Sequence, residues 1–189
     1  MNRFGPIVFP PLSRGRASGQ SLAEFAIIVP VVLLLLLAIA DMGRLYTSAV
    51  AVEAAGREAA DFGSFDSSNW TAANFNTTVD EMRRRACTAA AGSHLEGYET
   101  TDPLNNTTCS NPTFHCTLEL SGTTVDCASS GGFVGTTDCS LATTEPPCTV
   151  HVEMDYDFRT FLAFPPMPES IAIVRHSLFR VSNLAPATP

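Results

Sequence analysis

The hydrophobic pattern of this 189-residue chain is dominated by one continuous apolar run near the N-terminus. The run begins at Phe25 and ends at Ala40, and it contains 16 uncharged residues. Twelve of them are Leu, Ile, Val or Phe, which favour membrane insertion by roughly 0.3 to 0.6 kcal/mol each and outweigh the cost of Pro30. A helix of this length spans about 24 Å, less than the ~30 Å hydrocarbon core. The run therefore predicts a transmembrane helix that recruits flanking residues, namely Leu22, Ala23, Met42 and Gly43.

After Asp41, small or apolar residues recur in alternating steps of four and three. This is the spacing of a heptad seam, so the helix is predicted to continue as a stem to about Phe62 and to stop at Gly63. The seam could pack against the protein's own domain or against a partner stem. Its members are Leu45, Ala49, Val52, Gly56, Ala59 and Gly63.

The remainder of the chain predicts a second helix and an antiparallel sheet. Thr78 and Glu81 form a capping-box pattern and Gly92 follows an alanine run, which places the second helix between them. Alternation of apolar and polar residues over 148–158 predicts a strand. Further strands are expected over residues 114–120 and 170–181, the latter pairing with 148–158 over the stem helix. The fold class is therefore α+β.

Charge divides the chain into a basic head and an acidic body. Residues 1–19 carry three arginines and no acid. The rest of the chain contains the other arginines and all 19 acidic residues, and the net charge of the whole chain is −8. An acidic body repels phosphate backbones, so no nucleic acid is expected as a partner. The three consecutive arginines at 83–85 are expected to pair with acids of the same domain.

All six cysteines lie beyond the apolar run, as is typical of an exported, oxidised domain. The loop-like region 97–147 contains four of them and needs cross-links to hold its shape. Six cysteines allow 15 pairings, and the sequence does not choose among them. The disulfide candidates are Cys87, Cys109, Cys116, Cys127, Cys139 and Cys148.

The sequence contains none of the common catalytic or metal-binding patterns. It has no G-x-S-x-G, H-E-x-x-H or Walker loop, no C-x-x-C, and its four histidines are scattered. We therefore expect no enzymatic activity, no catalytic residue, no metal, no cofactor and no small-molecule substrate.

Signal peptidase cleavage after Ala40 is one interpretation of the apolar run. Basic residues precede it and Ala38-Ile39-Ala40 is an A-x-A pattern, so a cut there would release a secreted, disulfide-linked binding module. The helical pattern nevertheless continues through this position, whereas signal peptidase needs an extended segment at its cut.

A cut between Gly19 and Gln20 is the other interpretation. It would make Glu24 the fifth and Phe25 the sixth residue of the mature chain, directly ahead of the apolar run. The stretch G-Q-S-L-A-E-F, the early Pro30 and the continuation D-M-G-R-L-Y resemble type IV pilins and, more closely, the TadE-like pseudopilins of tight-adherence (Flp) pilus systems. Phe25 departs from the short major Flp pilin, which usually has Tyr there.

The resemblance implies a membrane-anchored minor pseudopilin, cut by a prepilin peptidase, that supports pilus assembly, surface attachment and biofilm formation. Its domains would be a cytoplasmic basic leader (1–19), a transmembrane and stem helix (20–63) and an exported α+β domain (64–189). Basic residues before the run place the N-terminus in the cytoplasm of a single-pass protein of the bacterial plasma membrane. The implied partners are the lipid bilayer, other pilins or pseudopilins, the assembly platform and the prepilin peptidase.

Glu24 has a physical role in this scheme. Cleavage would free an α-amino group at Gln20 with an ordinary pKa of about 8, and Glu24 of one subunit could meet that ammonium group on the next. Pairing makes two charges tolerable in an apolar stack where each alone would be costly. A simpler role, compatible with the first, is that Glu24 complements the helix macrodipole by about 0.3 to 1 kcal/mol.

Overall fold

The computed structural model describes residues 18–71, 73–95, 97–100, 108–120, 122–127, 139, 148–161 and 168–182. The chain divides into two compact units, Met1–Ile39 and Ala40–Pro189. One long helix, α1 (Ser18–Ser64), contributes to both units, and every other described element belongs to the second. The predicted α+β class with a long N-terminal helix is confirmed.

In the first unit, α1 presents apolar side chains on its outside. Its most apolar stretch has a mean hydropathy of 2.9 and none of it is buried, so the helix is long and apolar enough to cross a membrane. Pro30 lies inside α1 without ending it, which transmembrane helices tolerate because neighbouring backbone groups adjust. This exposed apolar helix fits membrane anchoring, since side chains of this kind gain free energy only when covered.

In the second unit, a short turn joins α1 to a second helix. α1 ends at Ser64, one residue after the predicted stop, and a 3-10 turn (Ser67–Trp70) leads to α2 (Phe75–Gly92). The indole Nε1 of Trp70 donates a hydrogen bond of 2.6 Å to the backbone oxygen of Gly63. Because Trp70 is fully buried, this bond satisfies its polar edge inside the core.

The start of α2 differs from the prediction. The helix begins at Phe75, after Asn74, whose side chain makes no capping hydrogen bond, so the capping box expected at Thr78 is wrong. Thr78 lies inside the helix, is buried, and its Oγ1 donates to the backbone oxygen of Asn69 at 2.9 Å. A tertiary contact has replaced the local cap, whereas the helix ends at Gly92 as predicted.

Two antiparallel sheets complete the second unit. A two-stranded ribbon joins β1 (Glu99–Thr100) to β2 (Cys109–Asn111). The four-stranded sheet has the order β4-β3-β5-β6, and β5 and β6 pair over 11 residues each. Its strands are β3 (Thr113–Leu120), β4 (Thr123–Asp126), β5 (Thr149–Arg159) and β6 (Ser170–Arg180). The three predicted strands are confirmed within two residues at either end.

The stem seam packs onto this sheet. Val52 and Ala59 are fully buried, and an added Cβ at Gly56 would lie 3.2 Å from Met154 Cγ on β5 and 3.4 Å from Ser177 Oγ on β6. Small seam residues thus let the helix backbone approach the strands closely. Of the two partners considered for the seam, its distal half packs against the protein's own domain.

All six candidate cysteines form disulfides. The pairs are Cys87–Cys109, Cys116–Cys127 and Cys139–Cys148. The first joins α2 to β2, the second joins β3 to the residue after β4, and the third joins the residue before β5 to Cys139. The second helix is therefore cross-linked to the two-stranded ribbon, and β3 to the end of β4.

The arginines of α2 pair with acids of the same unit, as expected. Arg84 donates to both carboxylate oxygens of Glu81 at 2.7 and 2.6 Å, and Arg85 contacts Glu81 and Glu58. The hydrogen bond from Arg84 lowers the pKa of the Glu81 carboxyl group, which burial opposes and Arg85 reinforces. Arg83 forms an exposed pair with Asp80.

Candidate processing and assembly site

The predicted cut between Gly19 and Gln20 falls in the first turn of α1, which begins at Ser18. Gly19 is exposed, and an added Cβ there would meet nothing within 4 Å. The first N–H groups of a helix have no intrahelical acceptor, so this turn opens more easily than the helix interior. A peptidase that requires an extended substrate could therefore reach this bond at a smaller cost than one inside the helix.

Glu24 lies one helical turn after Gln20, at the i+4 position of the same face. The side chains of Glu24 and Phe25 are both exposed, and Phe25 is directly followed by the apolar stretch. The structure thus brings the two predicted processing residues and the two predicted assembly residues into two turns of one helix. The roles of all four residues, and the membrane span from Phe25 to Ala40, stay predictions.

The alternative cleavage position after Ala40 lies in the interior of α1. The helix runs through Ala38 and Ala40 without a break and continues for more than 20 residues beyond them. An extended conformation at this position would require hydrogen bonds on both sides to break. It would also disturb Asp41, whose side chain is buried in the second unit.

Asp41 holds together a cluster that the sequence did not reveal. Its carboxylate accepts the backbone N–H of Phe161 at 2.9 and 3.2 Å and pairs with Arg44 at 2.9 Å. The Arg44 guanidinium also lies over the rings of Phe161 and Phe158, 3.7 and 5.2 Å from their centroids. We call these four residues the junction cluster. The i,i+3 spacing of Asp41 and Arg44 was a visible signal, but a partner 120 residues away was not.

Tyr156 lies next to the junction cluster, in the buried face of β5. Burial raises the pKa of its phenol, because the charged form loses hydration, while a hydrogen bond with Ser48 and the positive charge of Arg44 act in the opposite direction. Burial dominates, so Tyr156 stays protonated beyond its ordinary range.

On the outer face of the sheet, histidines of β3 and β6 lie beside carboxylates of β5. His176 Nδ1 lies 3.4 Å from Glu153, and His115 Nε2 lies 3.7 Å from Asp155. Among the described residues, no group of three or more His, Cys, Asp or Glu side chains could hold a metal ion. The acidic side of β5 therefore faces imidazole groups and solvent.

Residues 19–61 match the family model described as TadE-like protein. No curated protein and no solved structure matches the chain. The matched segment begins at Gly19, includes Glu24, Phe25 and the whole apolar stretch, and ends three residues before the end of α1. It thus coincides with the segment that the sequence marked by resemblance. Over residues 19–61, the chain is therefore similar to the TadE-like family.

Proposed function

We propose that the protein is a membrane-anchored minor pseudopilin of a tight-adherence pilus system, and that it supports pilus assembly, surface attachment and biofilm formation. The observation that carries the proposal is the TadE-like match over residues 19–61. Within that segment, the exposed apolar stretch from Phe25 to Ala40 has the carboxylate of Glu24 directly ahead of it, which is what a subunit retained in a membrane and later stacked by its stem requires.

Retention of the helix is supported by the continuity of α1. The helix passes from the apolar stretch into the packed core of the second unit, where Val52 and Ala55 are fully buried. A cut after Ala40 would leave the first turn of a core helix as a free end. The expected topology, with a cytoplasmic N-terminus and an exported second unit, rests on Arg3, Arg14 and Arg16 ahead of the apolar stretch.

Processing at Gly19 would supply a cation close to Glu24. The new α-amino group at Gln20 would lie in the first turn of the helix, about 6 Å along the axis from Glu24 of the same chain. In a stack of stems, the same ammonium group can meet Glu24 of a neighbouring subunit, which sets the axial register between the two helices. Other pilins or pseudopilins, the assembly platform and the prepilin peptidase are the partners of this scheme.

The N-terminus of the mature protein tests the proposal. The full chain would be produced in its pilus-bearing host, and the first residue of the membrane-extracted protein identified by mass spectrometry. We expect Gln20. A matched pair of variants separates the two cut sites: Gly19→Leu should abolish the cut, and Ala38→Leu, which alters the A-x-A pattern, should leave Gln20 as the first residue. A first residue of Asp41 would contradict the proposal.

The role of the carboxylate is tested separately. Glu24→Ala should leave membrane insertion unchanged, because it removes a charge from the apolar end, but it should reduce pilus output and surface attachment. Glu119→Ala, which removes an exposed carboxylate from β3, is the control. Equal pilus output from the two variants would remove the assembly role proposed for Glu24.

A further inference from the structure

The predicted membrane span is too short for the bilayer on its own. Its 16 residues from Phe25 to Ala40 cover about 24 Å of the ~30 Å hydrocarbon core. The turns after Ala40 must therefore lie close to the membrane surface, and Tyr46 is only about 9 Å along the helix axis from Ala40.

The first turns after Ala40 expose apolar side chains where the second unit begins. Met42 and Tyr46, four residues apart on one helix face, are 64% and 71% exposed. Tyrosine is enriched at membrane–water interfaces, where its ring is covered and its hydroxyl stays hydrated. An exposed Met and Tyr at this distance from the span are in the position that headgroups would occupy.

Phe161 brings a third apolar side chain to the same level from another part of the fold. Phe161 is 63% exposed and lies two residues after β5 ends at the exposed Arg159. The backbone N–H of Phe161 is bound by Asp41, and its ring lies 3.7 Å from the guanidinium carbon of Arg44. The junction cluster therefore fixes Phe161 beside the turn of α1 that contains Asp41 and Arg44.

Electrostatic attraction to anionic lipids is not what would bind Met42, Tyr46 and Phe161 to a membrane. Arg44 pairs with Asp41, and the exposed Arg159 is accompanied by the exposed acids Asp157 and Glu169. Arg175 lines the same groove as Met42 and Tyr46, as a single exposed cation. No cationic patch is formed by these described residues, so anionic lipids would gain little from it. Apolar insertion is left as the driving force, at about 25 cal/mol per Å² of covered apolar surface.

We infer that Met42, Tyr46 and Phe161 form an interfacial seat, which inserts into the outer headgroup region of the phospholipid bilayer that anchors α1. The inference rests on the proposed membrane anchoring. The seat compensates for the short span. It also holds the edge of the second unit at which β5 ends and β6 begins against the lipid surface. The occupant is phospholipid; a second copy of the chain covering the same side chains is the alternative that the test must separate.

Photocrosslinking in nanodiscs tests the inference with the full chain. p-Benzoylphenylalanine would replace Phe161 in one variant and Phe65 in a control. Phe65 is 61% exposed, almost as much as Phe161, but it follows the far end of α1, about 36 Å along the axis from Asp41. We expect lipid adducts at 161 and none at 65. Adduct yield should not change with added salt or in purely zwitterionic lipid, because screening does not affect apolar insertion.

Each other outcome counts against the inference. Equal lipid labelling at 161 and 65, or protein–protein adducts in place of lipid adducts at 161, would overturn it while leaving the anchor intact. A Tyr46→p-benzoylphenylalanine variant gives an independent probe, with lipid adducts expected there too. Trp70 fluorescence checks that each variant is folded. Failure of the chain to stay in the nanodisc after alkaline washing would overturn both the seat and the proposed anchoring, and so distinguishes the two failures.

Discussion

At the scale of single residues, Asp41 has a different structural role from the one that its position in the sequence suggested. The sequence placed it as a polar boundary of the apolar run, whereas the structure buries its carboxylate between Arg44 and the N–H of Phe161. Hydrogen bonds to a charged group contribute about 1.5 to 3 kcal/mol each, and an uncompensated partner adds a further cost.

Asp41→Ala should therefore lower the free energy of unfolding of the second unit by about 2 to 4 kcal/mol. Chemical denaturation of the full chain in detergent micelles, followed by the fluorescence of the single tryptophan, Trp70, would measure it. Asp80→Ala is the matched control, since that Asp also pairs with an Arg at i+3 but is 68% exposed, and it should cost less than about 0.5 kcal/mol. Equal losses in both variants would refute the junction cluster.

Tyr156 gives a residue-scale prediction about alkaline pH. Its raised pKa means that, above the ordinary value of 10.0, the unfolded state releases the phenolic proton while the folded state keeps it. Stability is therefore fully present below that pH and falls as the pH rises through the folded-state pKa. Tyr156→Phe should flatten the fall in a series of denaturation curves above pH 10, whereas the exposed Tyr46→Phe should not. The same slope in wild type and Tyr156→Phe would contradict this assignment.

At the scale of elements, periodicity carried most of the prediction. Alternation along β5 and the four-three steps along α1 each indicated a buried face, and those faces meet at Gly56 and Met154, beside Ser177 of β6. The start of α2 escaped prediction because Thr78 satisfies its hydroxyl with Asn69, far enough along the chain that no local rule includes it. Local patterns therefore located the buried faces of helices and strands and the helix ends that depend on local sequence. They missed the helix start that depends on a tertiary contact.

Gly63 tests the packing between α1 and α2. A Cβ at this position would lie 2.7 Å from Met82 Sδ and 3.3 Å from the Trp70 ring. Met82 is fully buried and has little room to move, so Gly63→Ala should destabilise the second unit by about 1 to 3 kcal/mol despite the higher helix propensity of alanine. Gly43→Ala in the same helix meets nothing within 4 Å and should be neutral or stabilising by thermal unfolding. A stabilised Gly63→Ala would show that the two helices are not packed this closely.

At the scale of the whole molecule, the sequence predicts an apolar anchor followed by an acidic, cysteine-bearing domain, because hydropathy and charge are sums over the residues of a segment; this division stays a prediction. It did not predict which cysteines pair or that Phe161 meets Asp41. Both depend on loop closures over 9 to 120 residues, which no local pattern encodes. The proximity of Gly19, Gln20, Glu24 and Phe25 was predictable because they lie in consecutive helical turns, whereas their roles stay predictions.

The two parts of the molecule should respond differently to the loss of a disulfide. Membrane insertion depends on the apolar run of the first unit, whereas all three disulfides lie in the second. The Cys87–Cys109 bond closes a loop of 22 residues, so replacing both cysteines with Ala should lower the free energy of unfolding by about 3 kcal/mol. The Cys139–Cys148 bond closes a loop of 9 residues, so the same replacement there should lower it by about 2.5 kcal/mol. Denaturation followed by Trp70 fluorescence measures the losses, and alkaline extraction of membranes measures insertion, which should equal wild type in both variants. Extraction of either variant from the membrane would mean that the anchor depends on the folded second unit, because the apolar run itself is unchanged.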